Sequence, residues 1–292
     1  MGETRRLGCR RRRGIHECRL ALSNSGRRNC SPDAQGAKLN GKFALFFLLS
    51  VAAAAQDLDP ESSRLEITGS FWSVDASGSI HANGTPIDLK SDLGVNQGQA
   101  TFTGKLVAKP RRKQKIVVEG TPVRLDGSMN LSRSITYRGQ TYSVSDRITS
   151  KADLNYFYAG YQYDLISRPG GHFGLEAGGA WLNATGTIVS QTTGITASKS
   201  ETVGLPLAGA EFRVFPVHRR FDVEMNGEVK GMAFGRYGHY VQASANAGIG
   251  FGPVLVEGGY RIVDMDIHTN DQISGVAPQF TGPVLSLVFR IP

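Results

Sequence analysis

A period of two, sustained through repeated segments of about ten or more residues from residue 64 onward, constrains this chain more than any other feature. No helical period competes with it. In the stretch FDVEMNGEVK (221–230), Phe221, Val223, Met225 and Val229 share one face, and Asp222, Glu224, Asn226, Glu228 and Lys230 share the other. Residues 238–251 repeat the pattern, with His239, Val241, Ala243, Ala245, Ala247, Ile249 and Phe251 against Tyr240, Gln242, Ser244 and Asn246. In RITSKADLNYFY, Ile148, Ala152, Leu154, Tyr156 and Tyr158 oppose Arg147, Thr149, Lys151, Asp153 and Asn155. Such a chain alternates sides at every residue, so it builds sheet.

A secreted β-sandwich also alternates. Three features favour a transmembrane barrel over it. The apolar faces are rich in Ala, Gly and single aromatics, while charges of both signs occupy mid-strand positions on the polar faces, as lipid outside and a polar interior require. Aromatics gather near strand ends (Phe71, Trp72, Tyr161, Tyr163, Trp181, Phe215, Phe221, Phe234, Tyr237, Phe251 and Phe280), where rings suit bilayer interfaces. The connections also alternate in length. Strands are expected near 64–74, 99–109, 115–128, 146–166, 172–188, 199–215, 220–234, 238–251, 254–267 and 280–291. PRRKQ, SRPGG, PVHRR and Gly252-Pro253 are short links; 75–98, 129–145, 189–198 and 268–279 are long, with 235–237 the exception. Short periplasmic turns facing longer outer loops give an even strand number with both termini in the periplasm. The expected fold is all-β, a single antiparallel transmembrane β-barrel of about ten strands over residues 64–292. Closure leaves no open edge in lipid.

The N-terminal segment points to export. FALFFLLSVAAAA (43–55) follows Lys38 and Lys42, ends in small residues, and is too short to span a bilayer as a helix. Residues 38–55 therefore read as a signal peptide cleaved after Ala55, and 56–63 as a periplasmic lead-in. No Cys follows the apolar run, which argues against a lipid anchor. Residues 1–37 are an upstream extension of the gene model or a disordered basic leader; their Arg run has no apolar period. The first 55 residues hold nine Arg and two Lys against three acidic residues, so the formal +8 charge belongs to them and the remainder balances at 22 of each sign. The barrel thus gives no electrostatic case for nucleic acid. Cys9, Cys18 and Cys30 leave with the leader, and with them any disulfide framework or thiolate metal site.

On these segments the chain resembles the outer-membrane β-barrel proteins of Gram-negative bacteria, uncharacterised small barrels in particular. The most sequence-like piece is the first outer loop, Ile87-Asp88-Leu89-Lys90-Ser91-Asp92-Leu93-Gly94. The resemblance implies a cell-surface setting among outer-membrane lipids and lipopolysaccharide, and insertion by the barrel assembly machinery. Family barrels commonly finish on an aromatic that this machinery reads. Here the end is LSLVFRIP, with Phe289 three residues before Pro292.

The polar faces place Lys151, Asp153, Glu176, Glu211, Arg213, Asp222, Glu224, Glu228, Lys230, Glu257 and Arg261 toward the lumen. In a barrel of about ten strands these read as a salt-bridged network filling a narrow interior, with a selective pore as the alternative. The expected role is structural or surface-interacting and not enzymatic, with at most a small conductance, no cofactor and no metal. The sharpest catalytic candidate is Asp264, Asp266 and His268, which period two puts on one face. An Asp beside a His orients the ring to activate water. This is similar to the Asp-x-His pair of the omptin proteases, ten-stranded barrels whose pattern implies a surface hydrolase at the outer rim. Their second acidic pair has no Asp-x-Asp counterpart among Asp75, Asp88 and Asp92. A lipid A deacylase-type His and Ser pair is disfavoured, because His239 and Ser244 fall on opposite faces. His81, His172 and His218 read as structural.

Overall fold

The computed structural model describes residues 60–82, 85–218, 220–268 and 275–292. The expected leader, the expected signal peptide with its cleavage position, and most of the expected lead-in lie outside the described residues. A 3-10 turn at Pro60–Ser62 precedes the strands β1 (Leu65–Ala82), β2 (Thr85–Asp88), β3 (Gln99–Arg111), β4 (Gln114–Asn130), β5 (Ile135–Tyr137), β6 (Gln140–Tyr142), β7 (Arg147–Arg168), β8 (Gly171–Ser190), β9 (Thr196–His218), β10 (Asp222–Ala233), β11 (Gly238–Phe251), β12 (Val254–His268) and β13 (Gly275–Ile291).

Eleven strands form one sheet, in the order β13-β12-β11-β10-β9-β8-β7-β4-β3-β1-β2, and β13 pairs back onto β1. The seam runs antiparallel from Leu65↔Ile291 to His81↔Gly275. With β2 bound only to the far end of β1, the remaining ten strands close into an antiparallel barrel. The ten expected strands are all present. Their main difference is length: β1, β7, β8 and β9 run 18 to 23 residues, far beyond the ~9–11 that cross a bilayer.

At one end the links are tight. Gly252 takes φ 57° at the first central position of the β11–β12 turn, which a side chain would disfavour, and Pro253 follows with its preset φ. Both ends of the described barrel strands lie at this short-turn end, where Arg64 donates its N–H to the Ile291 carbonyl (2.8 Å).

The outer surface changes character along the strands. On β7 the outward residues below Asn155 are Phe157, Ala159, Tyr161, Tyr163 and Leu165; above it they are Asp153, Lys151, Thr149 and Arg147. The same switch follows Phe71 on β1 and Trp181 on β8. Phe71 pairs across strands with Phe102, and Phe157 with Trp181 (centroids 6.1 Å apart), giving an aromatic girdle at this level. A second girdle near the short turns includes Phe221 and Phe251, 6.4 Å apart. The eight-residue rise from Phe157 to Leu165 is roughly 27 Å of strand, or about 20 Å of height at a ~40° tilt, close to the apolar band of a lipid-embedded barrel.

Candidate functional site

Within the belt the interior is charged and paired. Arg213, on β9, reaches Glu66 (2.9 Å), Glu224 (3.0 Å) and Glu211 (3.5 Å). Lys109 meets Glu66 at 2.6 Å, and Arg290 contacts Glu224 and Asp222. Asn226 donates to Glu257 (2.6 Å) and Glu224 (3.0 Å). Higher in the barrel, Lys230 pairs with Glu119 (2.8 Å) and Glu228 (2.7 Å), Lys105 with Glu228 (2.5 Å), and Arg261 with Glu119. Lys230 also lies 4.2 Å from the centroid of the Tyr158 ring. A Cβ on Gly160 would fall 2.1 Å from the Tyr158 hydroxyl, so glycine there makes the room this ring needs. Lys115 and Asp164 form a further buried pair at 3.1 Å.

The lead-in joins this network. Glu61 accepts from the His172 ring at 2.9 Å and lies 3.3 Å from the Lys109 ammonium. Burial alone would raise its carboxyl, but the His172 hydrogen bond and the charges of Arg213 and Lys109 outweigh burial and hold it well below the ordinary carboxylate range.

Of the eleven residues expected in the lumen, Glu176, Glu211, Arg213, Asp222, Glu224, Glu228, Lys230, Glu257 and Arg261 face the interior, whereas Lys151 and Asp153 do not. Both are exposed on the outer wall above the aromatic girdle, and Asp153 stands 3.9 Å from Arg124 of β4. The alternation was right and the face was wrong, because that part of β7 is bathed by water and turns its apolar side inward. Trp72, Phe215 and Phe280 are likewise buried inside and not in a girdle. Sequence reasoning missed Glu61, Glu66, Lys105, Lys109, Lys115, Glu119, Asp164, His172 and Arg290. Period two extended over β1, β3 and β4 places Glu66, Lys105, Lys109, Lys115 and Glu119 on the inner face; for Glu61 no periodic signal exists.

Asp264, Asp266 and His268 share one face of β12, as their spacing requires. Met265 on the other face is buried inside, so the three sit on the outer parity of the wall. His268 Nε2 lies 2.9 Å from Asp266, while Asp264 meets His239 Nε2 at 3.1 Å. His81, in β1 and not in a turn, approaches His268 edge-on at 6.2 Å. Asp88 and Asp92 are committed elsewhere: Asp88 Oδ1 accepts from the N–H groups of Lys90 and Ser91, and Asp92 accepts from the Asp88 N–H and from Arg133. Among the described residues no group of three or more His, Cys, Asp or Glu side chains is arranged to hold a metal ion.

Above the girdle the interior turns apolar. Val74, Leu125, Leu182, Leu205, Val263 and Phe280 form a continuous core. Two long connections fold into the barrel mouth. After β2, Leu89, Leu93 and Val95 are buried, Val95 bridges Gly127, and the Ser150 hydroxyl donates to the Leu93 carbonyl (2.8 Å). The β5–β6 hairpin buries Ile135, Tyr137 and Tyr142, whose hydroxyl donates to the Ile188 carbonyl (3.2 Å). Arg133 and Asp92 pin the two connections together. The Arg133 hydrogen bond leads the causes that hold the Asp92 carboxyl below its ordinary value, against the opposing effect of burial. Beside the hairpin lies a cavity of about 520 Å³ walled by Leu125, Leu154, Leu182, Val203, Met265 and Phe280.

A closed ten-stranded wall with an apolar outer belt and a charged inner face defines an outer-membrane β-barrel. No protein-family model matches the chain, and no curated protein matches it. Among solved structures it is similar to the outer membrane protease OmpT from Escherichia coli, at 12% identity over 80% of this chain and 98% of that one, with a TM-score of 0.47. The transport unit of the autotransporter AIDA-I from Escherichia coli shares 8% identity over 87% of this chain and 98% of that one (TM-score 0.42). The translocator domain of NalP from Neisseria meningitidis shares 12% over 86% and 97% (TM-score 0.38). At these values the architecture rests on the chain's own strand pairing and surface.

Proposed function

We propose that the protein is a non-enzymatic barrel of the Gram-negative outer membrane, exported by its signal peptide, with a narrow polar lumen filled by its own side chains. Its role is structural or surface-interacting, with at most a small conductance. The supporting observation is the pairing within the belt: Arg213 alone contacts Glu66, Glu211 and Glu224, and Lys230 bridges Glu119 and Glu228. Charges buried at this density are stable only when paired, and paired side chains occupy the space that a wide channel needs empty. Outer-membrane lipids and lipopolysaccharide surround the belt, the barrel assembly machinery inserts it, and the long loops carry any surface contact. Purified protein in planar bilayers tests the reading. It should give no large, stable conductance steps, and porin-like steps would overturn it.

A rim hydrolase is the second reading, favoured by one observation, the 2.9 Å contact of His268 with Asp266. That pair is within reach to activate a water, and loss of a general base costs roughly 10²–10⁴ in rate. Cleavage of a basic peptide by wild type, lost in both His268→Ala and Asp266→Asn, would replace the structural reading.

A further inference from the structure

We infer that the cavity in the long-loop half is a binding site for a small, uncharged, predominantly apolar molecule. It goes beyond the structural role above and holds whether or not the lumen conducts. The space has a specific origin in the sequence. Leu154 on β7 pairs with Ala184 on β8, and Ala152 pairs with Gly186, so small residues meet where neighbouring levels carry Leu and Ile. The hairpin cannot fill the gap, because Tyr137 reaches only the edge, where its hydroxyl would lie 3.2 Å from a Cβ on Gly186. About 520 Å³ is left within a wall of aliphatic and aromatic side chains. That volume falls in the usual range for small-molecule sites and far exceeds a packing defect.

The rim sets the charge of the ligand. Asp153 points to the outer wall and Arg138 is exposed at the hairpin tip, while Lys199 and Glu201, on the inner parity of β9, pair with each other at 3.0 Å. A site for a carboxylate or phosphate end would present an inward cation free of an anion, and among the described residues the inward cation of this wall, Lys199, is already paired with Glu201. The floor sets the fate of the ligand. Tyr156 and Tyr240 stack with centroids 6.0 Å apart and planes 6° apart, and Trp72 is buried beside them at the same level. Beneath this floor the charged network begins. At this level only about 20 Å³ of free space remains, room for a water and not for the ligand, so the cavity is a holding site and not a stretch of a through-path.

The test uses the full barrel in lipid nanodiscs with N-phenyl-1-naphthylamine, a neutral apolar fluorophore, after subtraction of protein-free discs. Wild type should bind it saturably at one site per barrel. Ala184→Phe and, separately, Ala152→Phe should each weaken binding by at least about tenfold in protein that retains its heat-modifiable gel mobility. Decanol should displace the probe, and decanoate at pH 8 should need at least about tenfold more. Fluorescence no higher than in protein-free discs would overturn the site. So would unchanged binding in whichever of the two variants folds. Equal or better displacement by decanoate would overturn the ligand class.

Discussion

The two halves of the barrel obey opposite rules although the same strands build both. In the short-turn half, Tyr161 and Leu175 face outward while Glu176, Arg213 and Lys230 face in. In the long-loop half, Lys151 and Asp153 face outward while Val74, Leu182 and Val263 face in. What changes between them is the solvent outside. Lipid accepts apolar side chains at no cost, so the lower wall is free to keep polar residues inside if they pair with each other. Water rewards burial of apolar area at roughly 25 cal/mol per Å², so the upper wall needs a core of its own. β7 and β8 pair without interruption across the boundary, and what is exchanged there is the solvent of each face.

The largest test of this contrast is to break the lower network. Arg213→Met removes the cation that Glu66 and Glu224 share, leaving Glu66 to Lys109 and Glu224 to Arg290, and losing one partner of buried pairs costs up to about 3–5 kcal/mol. Urea titration of folding into bilayers should show that loss. The matching test above the girdle is Leu182→Ala, which removes core volume and should cost about 2–5 kcal/mol in the same titration. Little change there would mean that the upper half is not a packed core.

A smaller effect separates the outer faces. Tyr161→Lys places a charge near mid-belt and should cost about 2–4 kcal/mol, whereas Asn155→Lys, six residues up the same face, should stay within about 0.5 kcal/mol. The smallest effect concerns the mouth. The Asp92 carboxyl is held low in the folded state, so its contribution is fully present above the ordinary Asp value near ~3.9 and fades as pH falls through the depressed one. Hydrogen exchange at the Leu93 and Val95 amides should be steady after correction for intrinsic rates between pH 7 and about 5, then rise below about 4; Asp92→Asn should show the raised exchange throughout.

Much of this architecture was legible in the sequence, because period two is a local signal. It located the ten barrel strands and their short links, and it assigned inner and outer faces correctly on β10 and β11, where Asp222, Glu224 and Lys230 oppose Met225 and Val229. It failed on the upper part of β7, since alternation tells which residues share a face and not which solvent that face meets. The inward fold of the long connections was also missed. Leu89, Leu93, Ile135 and Tyr142 are buried there, and such apolar positions in otherwise polar loops were the available signal. Contacts such as Glu61 with His172 join residues 111 positions apart and leave no periodic trace.

The exchange of solvents at the girdle is the central claim, and a cysteine scan along the outward face of β7 tests it most directly. Single cysteines at positions 151, 153, 155, 159, 161 and 163, in a barrel whose own described residues contain none, would be probed in lipid vesicles with a membrane-impermeant maleimide and then with a lipid-phase quencher of an attached fluorophore. The account predicts that 151, 153 and 155 react with the maleimide and are not quenched from the lipid. It predicts that 159, 161 and 163 resist the maleimide and, once labelled in denaturant and refolded, are quenched. Quenching at 151 and 153, or free reaction at 161 and 163, would contradict it.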